Sequence, residues 1–580
     1  MIGLKTLATV CAAYPIFAVF ASAAATSPVA DTAMQGDKTA LRALLQQKNA
    51  DVNAAQADGA TAIQWAVYRN DLEMADLLIA AGANVKAANS DGVTPLWLAA
   101  ENGAAPMIEK LLAAGADANQ RMPNGETPLM MAARNGNIAA LRVLLDHKAD
   151  PNPKENLRGT TALMWAVEQS HPEAVKLLIE RGADFKAATA PDTRNSRLNI
   201  APTVAQRAAQ DVNFGARRRR QAGAGPGAPG AAGQNPEEAA AFDFDAFFRG
   251  PQVKDGGGLT PLIYAAREGC LDCARLLVEA GADVNQASNY GWTPLLTAAQ
   301  NRHYKLAAFF LDHGADPNRA NKGGWTPLYL ATDNRNIEAG DYPVRKPDMD
   351  HLDFIKLLLD KGAKVNARIC GAESNEKECK GDTTETRTNF TMQWLYEDGA
   401  TAFLRAAQSG DVALMKLLLE RGADAKIPTA HNDTALAVAA GIGWVEGVTF
   451  EWSPQESLEA VKMCLDLGID PNVVDDQGRT ALHGAAHKGR TEVIQLLVDR
   501  GANLEAHDFG SRDTFAGAMK GMTWIPLDWA RGLVRVGVQS AIPHPEAEKL
   551  LIKLMTDRDM KIPPPPSSSI CLTKGVNGCQ

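Results

Sequence analysis

Two histidines have the spacing of metal ligands. His483 and His487 are four residues apart in TALHGAAHKG, so on a helix they would share one face, as paired zinc ligands do. The glutamate that completes an HExxH motif is absent. We therefore interpret both as structural histidines and predict no metal site.

Other motifs of catalysis are absent as well. The sequence has no GxSxG elbow, no GxxxxGK[ST] phosphate loop and no GxGxxG motif after a strand. Acidic residues recur in GAD turns, where a repeated local role explains them better than acid–base catalysis does. We predict no catalytic residue and no cofactor.

The eight cysteines include several close pairs. We predict one disulfide between Cys370 and Cys379 and another between Cys571 and Cys579, because an oxidising compartment favours bridges in short loops. Cys270 and Cys273 lie in a helical pattern with no second CxxC or nearby histidine, so we do not interpret them as a zinc or redox pair. Cys464 is predicted to be a buried thiol.

Residues 1–25 have the features of a secretory signal peptide. Lys5 precedes an apolar run, and small residues follow up to a plausible cleavage site after Ala23 or Ala25. A retained membrane anchor is the alternative, but Pro15 interrupts the run. No later stretch reaches the roughly 20 apolar residues that cross a bilayer. We expect an exported, periplasmic or extracellular protein without stable membrane insertion.

The overall composition is that of a folded, soluble protein. Of 580 residues, 46% are hydrophobic and 22% charged, which disfavours both wholesale disorder and a multi-span membrane protein. The net charge of −9 argues against nucleic acid as the main ligand. A chain of this length contains several domains or an array of repeats.

The elements themselves are organised as repeats. Ten segments such as DGVTPLWLAA align on a threonine, usually 33 residues apart, and the ten threonines are Thr61, Thr94, Thr127, Thr161, Thr260, Thr293, Thr326, Thr401, Thr434 and Thr480. Each segment is followed by a second apolar stretch, and most of these end in a turn such as GAD. The threonine can cap a first helix, proline can occupy its first position, and the glycine can end a second helix.

TPLxxAA followed by LLxxGADxN at a period of 33 resembles the ankyrin repeat. The resemblance covers most of residues 34–560. It implies an all-α solenoid of helix pairs, whose projecting fingers and inner helices bind a partner. Lys148 departs from the pattern because it stands where the family has glycine.

The array is predicted to be interrupted and capped. Residues 58–187 hold repeats one to four, 258–366 repeats five to seven, and 398–504 repeats eight to ten, with a capping repeat at 26–57, a degenerate one at 505–562 and a Pro-rich tail at 563–580. Residues 188–257 form a low-complexity insertion and 367–397 a cysteine-containing one. The first insertion contains four consecutive arginines, Arg217–Arg220. They could bind an anionic partner, or they could simply be a charged stretch that faces solvent. Phe242, Phe244, Phe247 and Phe248 could dock a partner or fold back on the array.

Large aromatic residues stand just before the threonine in repeats six and seven. Trp292 and Trp325 occupy this position, and Tyr290 lies two residues before Trp292. Exposed aromatic clusters supply binding energy at interfaces, so these three are the candidate partner-binding residues. The alternative is that the rings pack between fingers.

We therefore expect a non-catalytic scaffold that binds or protects a partner protein. An enzyme with its active site in the insertions or the tail is the other hypothesis.

Overall fold

The structure, a computed structural model, describes residues 27–191, 257–336, 346–369, 399–444, 450–509, 523–532 and 542–564. Within these ranges the regular secondary structure is helical, apart from one isolated bridge between Arg368 and Thr401. The predicted all-α class is confirmed.

The described ranges contain 24 helices, in which a first helix of a repeat is usually followed after a short turn by a second. Their bounds are α1 Pro28–Gln35, α2 Lys38–Leu45, α3 Ala62–Tyr68, α4 Leu72–Ala80, α5 Pro95–Glu101, α6 Ala105–Ala113, α7 Pro128–Arg134, α8 Ile138–Asp146, α9 Ala162–Glu168, α10 Pro172–Glu180, α11 Pro261–Glu268, α12 Leu271–Glu279, α13 Pro294–Gln300, α14 Tyr304–Asp312, α15 Pro327–Arg335, α16 His351–Asp360, α17 Ala402–Gln408, α18 Val412–Glu420, α19 Ala435–Ala440, α20 Pro454–Asp466, α21 Ala481–Lys488, α22 Thr491–Asp499, α23 Pro526–Ala530 and α24 Pro545–Thr556.

The described residues form two compact units. The first comprises those within residues 27–157, 161–166 and 180–183, and the second comprises those within residues 158–160, 167–179 and 184–564. In the first unit, α3 packs on α5 and α5 on α7, so the first helices of successive repeats form one layer. In the second unit, α13, α15, α17, α19, α21 and α23 follow one another in the same way.

The repeated threonine caps the first helix, as its position predicts. In the second repeat Thr94 Oγ1 accepts a hydrogen bond from Trp97 N at 3.2 Å, and Pro95 is the first helical residue. The same bond recurs in seven other repeats, at Thr127, Thr161, Thr260, Thr293, Thr326, Thr401 and Thr434. Each cap satisfies an amide that the helix leaves unpaired.

Most second helices end at a left-handed glycine. Gly115, for example, has a φ of 94°. Lys148 takes the same place after α8 and is held at a φ of 66°, a conformation that costs a non-glycine residue strain. The positional prediction for Lys148 is therefore confirmed.

Asparagines of the GADxN segments connect successive repeats. Asn318 Nδ2 donates to the carbonyl of Gly362 at 3.0 Å, and its Oδ1 accepts from Lys364 N at 2.7 Å. The same two bonds to the next repeat are made by Asn53, Asn119, Asn285, Asn366 and Asn472. The recurrence of this asparagine is visible in the sequence, but its bonding partners lie in the next repeat and become visible only in the structure.

In the part of the chain that the structure describes, no helix is both long enough and apolar enough to span a bilayer.

Candidate partner-binding site

Two of the three aromatic residues predicted to stand exposed are buried. Tyr290 is 8% exposed and Trp325 is 2% exposed, whereas Trp292 is half-buried. The prediction of an exposed three-ring cluster is therefore wrong. A binding role for Trp292 stays a prediction.

Packing within the fingers accounts for this burial. The carbonyl of Tyr290 accepts a hydrogen bond from Lys322 N at 3.0 Å, which joins the fingers of repeats six and seven. The ring of Trp325 stands edge-on to Tyr329, with 5.2 Å between centroids. Trp325 N also donates to Asn321 Oδ1 at 3.1 Å. These contacts draw the rings into the stack.

A more open set of aromatic residues lies on the first helices of the first unit. Tyr68 is 64% exposed, and Trp65, Trp97 and Trp165 are half-buried. We call these four residues the aromatic row. Because α3 packs on α5, Trp65, Tyr68 and Trp97 belong to adjacent repeats. The third repeat places Met131, which is 4% exposed, at the position of Trp65, so it separates these rings from Trp165, which Arg134 of α7 contacts.

Local contacts fix the orientation of these rings. Trp65 and Tyr68 meet edge-to-face, with centroids 5.8 Å apart. The indole of Trp65 donates from Nε1 to Gln56 Oε1 at 2.7 Å. At the other end of the row, Arg134 Cζ lies 5.8 Å from the centre of the Trp165 ring, within cation–π range. The row thus presents rigid, partly exposed rings beside a cation.

The corresponding position is closed in the second unit. Trp65 and Trp165 each stand four residues after the repeat threonine. In the second unit this place is held by Tyr264, Leu330 and Val438, which are 3%, 0% and 1% exposed. The four residues are visible in the strings IQWAVY, LWLAA and LMWAV. Only the structure shows that Trp65 and Trp165 are half-buried at a position that is buried in the third repeat and at these three places of the second unit.

The two histidines with metal-like spacing have structural contacts. His483 is fully buried, and its Nδ1 accepts from Thr480 N at 3.0 Å while its Nε2 lies 3.2 Å from the carbonyl of Trp524. The rings of both His483 and His487 stand edge-on to Trp529. Burial lowers the pKa of His483 and of His487 to about 4. Among the described residues, no group of three His, Cys, Asp or Glu side chains could hold a metal ion.

The cysteines differ from expectation in one place. Cys270 and Cys273 form a disulfide, a bond that the helical sequence pattern did not predict. The bond itself does not test the interpretation that they are neither a zinc nor a redox pair. Cys464 is the buried free thiol that the sequence predicted, and burial raises its pKa to about 12. The predicted pairs Cys370–Cys379 and Cys571–Cys579 lie outside the described residues, as do Arg217–Arg220 and the four phenylalanines at 242–248.

Buried ion pairs join repeats seven and eight in the second unit. Arg335 Nε lies 2.7 Å from Asp411 Oδ2, and Arg405 Nε lies 2.9 Å from Asp333 Oδ1. The four side chains are between 2% and 13% exposed. Every one of them has an opposite charge as partner, which explains how charged groups are tolerated at these depths.

Residues 450–453, which lie between α19 and α20 in repeat nine, are held against this network. The guanidinium carbon of Arg335 lies 4.5 Å from the centre of the Trp452 ring, and Trp452 Nε1 donates to Asn336 at 2.9 Å. Glu451 bridges Lys488 and Arg490 at 2.9 and 2.7 Å. This segment is therefore docked on its own array, which disfavours it as a free binding segment.

Comparison with known proteins identifies the repeats. Family models described as ankyrin repeats (3 copies), ankyrin repeat and ankyrin repeats (many copies) match residues 30–189 and 243–369, residues 398–430, and residues 454–498, respectively. Together these ranges are more than half of the chain.

Curated relatives are similar over short segments. The chain is 32% identical over 176 residues to a probable E3 ubiquitin-protein ligase XBOS33 of Oryza sativa subsp. japonica, which covers 27% of the chain and 31% of that protein. It is 42% identical over 62 residues to serine/threonine-protein kinase 12 of Arabidopsis thaliana, 11% of the chain and 14% of the kinase. Ankyrin repeat domain-containing protein 63 of Homo sapiens is 33% identical over 115 residues, 19% of the chain and 27% of that protein. The chain spans less than a third of each relative.

Proposed function

Because the chain belongs to the ankyrin-repeat family, we propose that it is a non-catalytic scaffold that binds a partner protein through the aromatic row of its first unit. Ankyrin repeats are protein-interaction modules, and this chain's relatives include proteins named for their ankyrin repeats. The kinase and the ligase are similar to the chain over 11% and 27% of its length, and neither activity is proposed for it.

The observation that carries the proposal is the exposure of aromatic side chains that the helices do not need for their own packing. Tyr68 is 64% exposed on the last residue of α3. Tyrosine and tryptophan dominate the binding energy of protein interfaces because they bury a large area at a low entropic cost. Trp65, whose ring meets Tyr68, and Trp97, on the helix that packs against α3, would be desolvated together with Tyr68 by one partner.

The partner expected from this surface has an apolar segment flanked by acidic groups. Apolar side chains would lie over the rings, and a carboxylate would pair with the guanidinium of Arg134, which is exposed beside Trp165. We further propose that binding occurs outside the cytoplasm after removal of residues 1–25, on the basis of the signal-peptide pattern.

The test is affinity capture from the native envelope fraction followed by quantitative mass spectrometry. A Tyr68→Ala, Trp97→Ala double variant should lower the capture of a specific partner at least about tenfold, since central aromatic residues often contribute 2 kcal/mol or more. Phe509→Ala is the matched control, because Phe509 is 59% exposed but lies in the second unit. Melting temperatures are measured for all three proteins.

Equal losses in the double variant and the control would refute the assignment to the aromatic row. Unchanged capture by the double variant at an unchanged melting temperature would also refute it. For the proposed export, the mass of the protein recovered from its native cells should correspond to a chain that begins at residue 24 or 26. Recovery of the full-length chain from the cytoplasm would contradict export.

A further inference from the structure

A cysteine pair lies at the start of a helix in the second unit. Cys270 is the N-cap residue of α12 and Cys273 is the third residue of that helix. The two sulfurs are bonded to each other. Neither the scaffold function nor the repeat pattern requires cysteine here.

The sulfur of Cys270 occupies a position that holds an oxygen in other repeats. Asp71, Asn137 and Asp411 are the N-caps of the corresponding second helices, and their Oδ1 atoms accept from the amide three residues on at 3.0, 2.9 and 3.2 Å. Cys270 Sγ accepts from Cys273 N at 3.2 Å in the same way. Two of the three oxygens belong to carboxylates, and each of these also has a cationic partner, Lys38 for Asp71 and Arg335 for Asp411. Cys270 shares their capping geometry at the amide end of the helix.

The helix terminus favours that charge. The first amides of a nine-residue helix point toward Cys270, and the helix dipole stabilises an anion there. Thiolates at helix N-termini have lowered pKa values for this reason. On α12 itself the nearest charged side chains, Asp272 and Arg275, pair with each other at 3.1 Å.

A histidine of the next repeat lies against the same turn. The ring of His303 packs on Gly269, the residue before Cys270, so closely that a Cβ at Gly269 would lie 2.4 Å from Nδ1. His303 is 7% exposed and is the N-cap of α14. Only glycine at 269 permits this contact of the ring with the residue that precedes Cys270.

We propose that Cys270 and Cys273 form a reversible dithiol–disulfide centre that exchanges with low-molecular-weight thiols or with the dithiol of another protein. Cys270 is the sulfur open to attack, because it is 9% exposed whereas Cys273 is fully buried. His303 acts as a positioning residue.

The exchange is a balanced two-electron step. A thiol of the reductant loses its proton and attacks Cys270 Sγ as a thiolate, a mixed disulfide forms, and the bond to Cys273 Sγ breaks, so that Cys273 leaves as a thiolate and takes up one proton, which balances the proton that the attacking thiol lost. A second thiol of the reductant then attacks the reductant sulfur that is bonded to Cys270, and the Cys270 thiolate is released. The reductant becomes a disulfide and the protein holds two reduced cysteines.

The first test measures the redox equilibrium of the full-length protein in glutathione buffers of increasing reduced fraction, by differential alkylation and peptide mass spectrometry. The 270–273 peptide should pass from disulfide to dithiol within the series. A purely structural disulfide would resist reduction by glutathione, so this transition distinguishes the two cases. Circular dichroism confirms that the protein stays folded, and the buried thiol of Cys464 should remain unalkylated throughout. A pair that stays oxidised in excess reduced glutathione overturns the proposal, as does reduction that occurs only with unfolding.

The second test measures the pH dependence of alkylation at Cys270 in a Cys273→Ser variant. The pKa of the Cys270 thiol should lie at least about one unit below the 8.5 of a free cysteine. His303→Asn is the matched variant, because Asn137 occupies the corresponding position beside Gly103; it should shift the alkylation profile. A Cys270 pKa at or above that of free cysteine contradicts the proposal. An unchanged alkylation profile in His303→Asn contradicts the role of His303 as a positioning residue.

Discussion

Replacing His483 with glutamine should remove part of the acid sensitivity of the second unit. His483 is fully buried and uncharged, with Nδ1 accepting from Thr480 N and Nε2 facing the carbonyl of Trp524. The first repeat shows that glutamine can make the same bonds. Gln64 Oε1 accepts from Thr61 N at 2.7 Å, and Gln64 Nε2 donates to the carbonyl of Val93 at 2.7 Å. His483→Gln should therefore retain the capping geometry.

The direction and size of the effect follow from the pKa. Burial is the main cause that lowers the pKa of His483 from 6.5 to about 4. Between these values the unfolded chain binds a proton that the folded chain does not, so stability is lost as the pH falls from 6.5 toward 4. A shift of this size corresponds to about 3 kcal/mol by pH 4. The glutamine variant should lose about that much less, while its stability above pH 6.5 should change by less than about 1 kcal/mol.

The measurement is urea unfolding followed by tryptophan fluorescence at about pH 7.5, 5.5 and 4.5. His313→Gln is the control for the substitution itself, because His313 is exposed in the same unit. His487 and His351, whose pKa values burial also lowers to about 4, retain their contribution in both variants. Equal acid destabilisation in His483→Gln and wild type would show that His483 is not the group concerned. Strong destabilisation of the variant at neutral pH would show that the glutamine does not reproduce the cap.

Three further changes have defined expectations. Lys148→Gly should raise the free energy of unfolding by about 0.5–1 kcal/mol, because the strain of a left-handed lysine exceeds the entropy that glycine gains in the unfolded chain. As the control, Gly115→Ala should destabilise the protein although the added Cβ would meet no atom within 4 Å. A lower unfolding midpoint for Lys148→Gly would contradict the strain argument. Asn318→Ala should cost about 1–3 kcal/mol, since two hydrogen bonds to the next repeat are lost; hydrogen exchange of α16 should rise with it, and unchanged exchange would argue against the asparagine connection. Asp411→Ala should lower the free energy of unfolding by about 3–5 kcal/mol, because it leaves the guanidinium of Arg335 without this carboxylate at low exposure. In thermal unfolding, the double variant with Arg335→Met should recover part of this loss. Strictly additive losses would show that the two residues are not coupled.

The repeat, its helix pairs and the residues that begin and end each helix can all be predicted from the amino-acid sequence. The threonine caps, the first-position prolines and the terminal glycines act on amides and carbonyls within a few residues, so their roles can be read locally. Lys148 was identified in this way, and its left-handed conformation confirms the prediction. The interpretation of His483 as structural also follows from the sequence, because the glutamate of an HExxH motif is absent.

The solvent exposure of each side chain depends on contacts between repeats, which are visible only in the three-dimensional structure. Trp325 and Trp65 are both aromatic residues of the repeat, yet one is 2% exposed and the other half-buried. Their exposure depends on the neighbouring repeats and fingers, whose distance along the chain hides them from any local pattern. The bond between Cys270 and Cys273 and the approach of His303 to Gly269 likewise depend on three-dimensional packing. Local spacing specifies the elements of a stacked repeat, whereas contacts between repeats specify the surface that is left for function.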